Sequence, residues 1–128
     1  MKIEHIAIWV RDLEVSRKFY ETYFGAKSGE KYYNPKKSFT SYFLSFRNGA
    51  RLELMHRPEM VRVLQQGQEA IGLTHLAISL GAKEKVDRLT EQLRDDGFTI
   101  VGELRTTGDG YYESVVLDPE GNRLEITI

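Results

Sequence analysis

The sequence predicts an α+β fold made of two βαβββ modules in tandem, whose strands form a curved, barrel-like mixed sheet with the helices outside. Two internal matches carry this prediction. The stretch IEHIAIWV at residues 3–10 is nearly repeated as LTHLAISL at residues 73–80, with His and Ala in the same places. The stretch GARLELM at residues 49–55 is matched by GNRLEIT at residues 121–127, a shift of 72 positions. One supersecondary unit is therefore present twice.

Each copy contains one amphipathic helix after its first strand. Residues 12–25 carry apolar side chains at helical spacing, begin with the N-cap candidate Asp12 and end at Gly25. Residues 81–97 show the same pattern and end at Gly97. The two glycines are again 72 positions apart, so both copies hold their parts in one order.

Strand patterns follow each helix. Residues 38–46 turn through an Asn-Gly pair, a strong hairpin signal, into residues 51–55. Residues 111–117 turn through DPEGN into residues 123–128. Weaker candidates for the strand directly after each helix are residues 26–33 and 98–104.

The length of 128 residues predicts a single domain. Module one occupies residues 1–56, a connector residues 57–71, and module two residues 72–128. The connector resembles neither copy, and Pro58 and Gly67 indicate a short helix within it.

Composition excludes several classes of function. With 18 basic and 19 acidic residues, the chain lacks the basic excess of a nucleic-acid-binding domain. There is no apolar run long enough for a membrane span and no signal-peptide pattern, so a cytoplasmic protein is expected. The chain has no cysteine, so a thiolate ligand for a metal is excluded.

Strand alternation places four chemically active side chains opposite the aliphatic strand faces. They are His5 and His75 on the first strands, and Glu53 and Glu125 on the last strands. A lone His in a strand is more often structural than a ligand, but matched pairs converge if the two sheets close on each other. Four nitrogen and oxygen donors without sulfur suit one divalent ion such as Ni²⁺, Co²⁺, Fe²⁺, Mn²⁺ or Zn²⁺. Such an ion also compensates two inward carboxylates.

These features resemble the vicinal oxygen chelate superfamily, the group of glyoxalase I, methylmalonyl-CoA epimerase, extradiol dioxygenases, and fosfomycin and bleomycin resistance proteins. The resemblance rests on the paired modules, the His and Glu positions and the DPEGN turn, and it covers nearly the whole chain. It implies one divalent ion bound by His5, Glu53, His75 and Glu125. Fosfomycin resistance enzymes and extradiol dioxygenases usually leave the position of Glu53 unused, whereas bacterial glyoxalase I uses all four positions.

The resemblance to glyoxalase I implies a metal-dependent lyase or isomerase whose small substrate chelates the metal through adjacent oxygens. Proton transfer through an enediolate is expected, with Glu125 as the first candidate base and Glu53 as the second. The alternative is a small-molecule-binding or antibiotic-resistance member, of the fosfomycin or bleomycin type, without isomerase activity. Relatives with this module order commonly form homodimers, so a homodimer is expected.

Two positions depart from the glyoxalase I pattern. Trp9 stands where the bacterial enzyme usually has an Arg that holds a glutathione carboxylate, and Arg57 stands where it tends to have Asn. Because an indole does not replace a guanidinium, the resemblance implies weak turnover of the glutathione adduct. The candidate residues of the substrate pocket are Trp9, Arg57, Tyr111 and Tyr112. A packing role is the alternative for Trp9, while the two tyrosines follow TTGDG at residues 106–110, a stretch suited to gating a cavity.

Overall fold

The computed structural model describes residues 1–61 and 71–128. The chain divides into two compact units, Met1–Val63 and Leu64–Ile128, and each holds one copy of the repeated sequence. The helix expected in the connector falls largely outside the described residues. The single-domain organisation stays a prediction.

The described residues form two α-helices, nine strands and one short 3₁₀ helix at Pro35–Lys37. The first unit contains β1 His5–Trp9, α1 Leu13–Phe24, β2 Lys27–Ser28, β3 Tyr32–Asn34, β4 Phe39–Ser45 and β5 Arg51–His56. The second unit contains β6 Leu76–Ser79, α2 Lys83–Asp95, β7 Ile100–Thr106, β8 Tyr112–Leu117 and β9 Arg123–Thr127.

The sheet of the first unit is mixed, with the strand order β1–β5–β4–β2 and with β3 also paired to β4. β1 runs parallel to β5, and Ala7 lies beside Glu53 in that pairing. β4 and β5 form the hairpin that the Asn-Gly pair predicts. Its turn includes Gly49 at a φ of 88°, a left-handed conformation that glycine adopts without a Cβ clash.

The segment predicted as a single strand at residues 26–33 is in fact two short strands, so this part of the prediction is wrong. Tyr32 is four positions after Ser28, whereas their partners Leu44 and Ser41 on β4 are three positions apart. The extra residue has no partner on β4, and the ladder is interrupted as it is at a β-bulge. The first unit therefore has one strand more than the βαβββ pattern.

Helix α1 begins and ends where the sequence predicts. The Asp12 carboxylate accepts hydrogen bonds of 2.9 Å from the backbone N–H groups of Glu14 and Val15, which are otherwise unpaired at a helix start. At the other end Gly25 has a φ of 63° and closes the helix in the left-handed conformation. The helix packs on β4 and β5.

The sheet of the second unit has the strand order β6–β9–β8–β7. β6 runs parallel to β9 and Ala77 lies beside Glu125, the same register that joins Ala7 to Glu53. His75 lies one residue before β6, so the prediction of a His inside this strand is wrong by one position. Helix α2 packs on β7, β8 and β9 and is followed by Gly97 at a φ of 87°.

Each unit buries the side of its sheet that faces its helix. In the first unit, Phe19 and Tyr20 of α1 and Leu44, Leu52 and Leu54 of the sheet are almost fully buried. The corresponding residues of the second unit are Val86, Leu89, Leu93, Val116, Leu124 and Ile126. These aliphatic faces are the ones that alternation predicts, and the α+β class with two repeated modules is confirmed. Among the described residues, no helix has the length and apolar character needed to cross a membrane.

One polar contact lies inside the second core. The Thr90 hydroxyl on α2 donates to the Val86 carbonyl at 2.7 Å and lies 2.7 Å from the Ser114 hydroxyl on β8. Thr90 and Ser114 are both fully buried, and because Thr90 uses its proton on Val86, the Ser114 hydroxyl donates to Thr90 and depends on it for a partner.

We predict that Thr90→Val lowers the free energy of unfolding by about 1–3 kcal/mol, because it leaves the buried Ser114 hydroxyl without its partner. Denaturant unfolding measures the change. The double variant Thr90→Val, Ser114→Ala removes both hydroxyls and should recover part of the loss. Equal stability of the single and double variants contradicts the pairing.

Candidate metal centre

The first unit brings His5 and Glu53 together. Parallel pairing places Ala7 beside Glu53, and His5 lies two residues earlier on the same face of β1. His5 Nε2 is 3.9 Å from Glu53 Oε2. The Glu53 side chain is only 14% exposed, whereas the imidazole is accessible. The pair lies on the sheet face opposite the buried leucines that face α1.

A second carboxylate orients the His5 ring. His5 Nδ1 contacts Glu4 Oε2, and Glu4 Oε1 accepts a 2.8 Å hydrogen bond from Arg51 Nε. Because an ionised carboxylate only accepts hydrogen bonds, Nδ1 of the neutral ring must carry the proton. This tautomer leaves Nε2 unprotonated on the side of the ring nearer Glu53, and a ring N–H donated to a carboxylate is typical of metal-binding histidines. The hydrogen bond from His5, supported by the Arg51 guanidinium, holds the pKa of Glu4 below its ordinary value.

The second unit repeats the pairing. His75 Nε2 lies 3.5 Å from Glu125 Oε2, and the Glu125 side chain is 20% exposed. The residue before His75 is Thr74, so this half has no counterpart of Glu4.

The surroundings of Glu125 contain another acidic group. Glu113 lies two residues before Val115, the β8 partner of Glu125, and therefore faces the same side. Glu113 is 4% exposed and accepts hydrogen bonds of 3.2 and 2.9 Å from Arg105 Nε and Nη2. Burial, together with the neighbouring Glu113 carboxylate, raises the pKa of Glu125.

Each His–Glu pair suits two positions in the coordination shell of one ion. Two donors about 2.1 Å from a tetrahedral ion are about 3.4 Å apart, close to the 3.5 Å and 3.9 Å separations of the pairs. The donors are imidazole nitrogen and carboxylate oxygen, which suit first-row divalent metals. Within the described ranges, no group of three or more His, Cys, Asp or Glu side chains forms a metal site. The four-ligand site therefore stays a prediction.

Two of the predicted pocket residues lie together in the first unit. The Arg57 guanidinium carbon is 5.4 Å from the centre of the Trp9 ring and 5.7 Å from the centre of the Phe39 ring. Trp9 lies four residues after His5 on the same face of β1. Arg57 directly follows the last residue of β5, His56, and its guanidinium reaches the Trp9 ring. Position 9 lacks a guanidinium of its own, but the residue after β5 supplies one.

The two predicted pocket tyrosines differ in direction. The Tyr112 hydroxyl donates a 2.6 Å hydrogen bond to Asp87 of α2, and the Lys83 ammonium lies 4.3 Å from its ring centre. Tyr112 therefore lies on the helix side of the sheet, opposite Glu125. Tyr111 is exposed and its backbone N–H donates to the Thr107 hydroxyl at 3.0 Å, which closes the preceding loop.

The sequence matches the Glyoxalase/Bleomycin resistance protein/Dioxygenase superfamily over residues 2–126. The chain belongs to this superfamily. The predicted resemblance is thereby confirmed across nearly the whole sequence.

This superfamily member is similar in sequence to a curated protein and similar in fold to solved structures. An uncharacterised protein of Bacillus subtilis, YqjT, is 29% identical over 97% of this chain and 96% of its own length. The V278E mutant of glyoxalase I from Zea mays is 25% identical with a TM-score of 0.77, over 98% of this chain. This chain spans 44% of that maize protein. A glyoxalase family protein from Enterococcus faecalis is 24% identical with a TM-score of 0.80, over 99% of this chain and 97% of its own, which shows the fold.

Sequence reasoning missed three residues next to the His–Glu pairs of this superfamily member. They are Glu4, Glu113 and Arg105. Alternation alone places Glu113 on the face of Glu125, so this residue could have been found from the YESVVL pattern. The contact of Glu4 with His5 depends on the direction that the Glu4 side chain takes just before β1, and no sequence period encodes that.

We predict that Glu4→Ala releases the His5 ring into a mixture of tautomers, because Nδ1–H loses its acceptor. The ¹⁵N shifts of the ring, recorded in alkaline solution where imidazoles are neutral, measure the tautomer. Thr74→Ala, which changes the residue before the other His, is the matched control and should leave both rings unchanged. If His5 keeps the shifts of the Nδ1–H form in the Glu4 variant, this orienting role is wrong.

Proposed function

We propose that this superfamily member is a metal-dependent isomerase or lyase of the glyoxalase I type, acting on a small substrate with oxygens on adjacent carbons. One observation carries the proposal. Two units use the same parallel register to set one imidazole and one carboxylate side by side, at 3.9 Å and 3.5 Å. A single pair is common in strands, but a repeated pair of this composition supplies the four donors that glyoxalase chemistry uses.

The proposed ligands are His5, Glu53, His75 and Glu125. The proposal requires the two pairs to converge on one ion, either within one chain or between the chains of a homodimer. Neutral imidazole and ionised carboxylate are the forms that bind a divalent metal. The Glu4 contact supports this for His5, since it fixes the proton on Nδ1 and leaves Nε2 free.

The chemistry is a proton transfer between neighbouring carbons. A bound divalent ion supplies Lewis acidity to the two substrate oxygens, which makes the proton on the adjoining carbon easier to remove. Glu125 is the proposed base that removes this proton and returns it to the next carbon, and Glu53 is the second candidate. Both carboxylates are largely shielded from water, which limits exchange of the carried proton with solvent.

Metal binding is the first test. We predict about one divalent ion per chain in protein purified without chelator, and weaker metal binding in the Ala variants of His5, Glu53, His75 and Glu125. Elemental analysis and metal titration provide the measurement. Glu103→Gln, which alters a surface carboxylate paired with Arg94 at 2.6 Å, is the control and should bind like the wild type. Wild-type affinity in all four ligand variants contradicts the site.

An activity assay distinguishes an isomerase from a protein that binds the metal and a small molecule without turnover. The metal-loaded protein should isomerise hemithioacetals of methylglyoxal with at least one thiol of a panel, and Glu125→Gln should lower that rate by about 10² to 10⁴-fold. Metal content measured on the same sample shows whether the variant has lost the base or the ion. Oxygen consumption with catechols or thiol transfer to fosfomycin refutes the isomerase assignment. Binding without turnover leaves the small-molecule-binding alternative.

We also propose a homodimer. The four proposed ligands come from two separate units, and a complete site can form either from the two units of one chain or from units of two different chains. Light scattering at micromolar concentration should give the mass of two chains. Mixing His5→Ala with His75→Ala protein distinguishes the two arrangements. A site shared between chains recovers metal binding in a fraction of the mixed dimers, whereas a site within one chain does not. A stable monomer refutes the dimer.

A further inference from the structure

The first unit carries an aromatic and cationic cluster on the same sheet face as the His5–Glu53 pair. We call Trp9, Tyr32, Phe39 and Arg57 the Arg57 cluster. Trp9 lies four residues beyond His5 on β1, a distance of about 13 Å at roughly 3.3 Å per residue, and Arg57, just past the end of β5, contacts its ring. A substrate held by its oxygens at the pair therefore meets this cluster at its far end.

The rings form a preorganised frame around the guanidinium. Trp9 and Phe39 meet edge to face, with centroids 6.1 Å apart and planes at 89°, and Tyr32 packs against Phe39 at 6.1 Å. Arg57 lies against both the Trp9 and Phe39 rings, so the cation–π contacts fix its position. Trp9 and Tyr32 nevertheless remain largely exposed, which is unusual for aromatic side chains that serve only to pack.

The Nε atom of Arg57 is buried, whereas the side chain as a whole is partly exposed. Arg57 Nε is covered by protein and has no hydrogen-bond partner within the described part of the chain. The Arg57 side chain as a whole is 31% exposed. The acidic neighbour of its terminal nitrogens among the described residues is Glu59, whose Oε1 lies 3.9 Å from Nη1, longer than a hydrogen bond.

We propose that the Arg57 cluster binds a flat, unsaturated or aromatic carboxylate, and that this is the end of the substrate remote from the metal. A planar guanidinium fork matches the two oxygens of a carboxylate, and the exposed Trp9 and Tyr32 rings of the cluster match a flat apolar group attached to it. The assignment of this group to the substrate rests on the proposed function. The anion site itself rests on the cluster alone.

Benzoate is the probe for the proposed anion site, and benzamide is its uncharged analogue. Trp9 is the single tryptophan of the chain, so quenching of tryptophan emission reports binding at this cluster directly. Metal-free protein is used, which makes the result independent of the His–Glu pairs. Benzoate should quench Trp9 in a saturable way, and benzamide should bind at least tenfold more weakly.

Variants test the role of the guanidinium. Arg57→Gln should weaken benzoate binding about 10 to 100-fold, the range expected for loss of a charged hydrogen-bonding partner. Glu59→Gln should tighten it, because a competing carboxylate is removed. Arg17→Gln is the matched control. Its guanidinium carbon also lies over a ring, 5.3 Å from the centre of Tyr42, but it is engaged by Glu14 and Glu21 on α1 and should change nothing.

The outcomes separate the two proposals. Equal binding of benzoate and benzamide, or unchanged benzoate affinity in Arg57→Gln, overturns the anion site whatever the protein catalyses. Arg57-dependent benzoate binding in a protein that takes up no metal supports the anion site and refutes the proposed function instead. Where both hold, carboxylate-bearing substrates should show a KM that rises in Arg57→Gln while kcat changes little.

Discussion

The parallel pairing of the first and last strand in each module is the constraint on which the candidate site depends. It joins Ala7 to Glu53 and Ala77 to Glu125, so that a His two residues before each Ala reaches the neighbouring carboxylate. A shift of one residue in this register turns the carboxylate toward the helix and the leucines toward the open face. Because each helix buries these aliphatic residues, hydrophobic packing fixes the register, and the register in turn fixes where the candidate ligands lie.

The open face can carry the candidate site because the opposite face supplies the stability. Leu52 and Leu54 alternate with Glu53 on one strand, and Leu124 and Ile126 enclose Glu125 on another, with all four apolar side chains nearly fully buried. Their burial contributes about 1.5–3 kcal/mol each relative to exposure. This permits a carboxylate at 14–20% exposure on the other side, where it lacks full hydration. Strand alternation thus places the stabilising apolar residues and the candidate carboxylate ligands on opposite faces of the same strands.

The internal repeat made most of the fold and the candidate ligand pairs predictable from the sequence. Matched apolar alternation fixed the strand faces, and Asp12 and Gly25 bounded a helix by side-chain capping and a left-handed turn, both local effects. The break within residues 26–33 was not predictable, because it depends on which residue of β4 pairs with each partner. The Glu4 contact and the Arg57 stacking were missed for a related reason. Glu4 and Arg57 lie just outside β1 and β5, so the direction of each long side chain is not set by strand alternation.

The two modules share the same candidate ligands, but the residues around those ligands differ. This difference is what an asymmetric reaction would need from a symmetric set of donors. His5 is oriented by Glu4 and Arg51, whereas Thr74 precedes His75 and offers no carboxylate. Glu125 instead has the buried Glu113 on its own face, and its pKa is raised by burial and by that neighbour. The first module therefore orients the candidate metal-binding nitrogen of His5, and the second raises the pKa of the candidate base Glu125. Under the proposed function, such changes around the four candidate ligands give the first module mainly a binding role and the second a proton-transfer role.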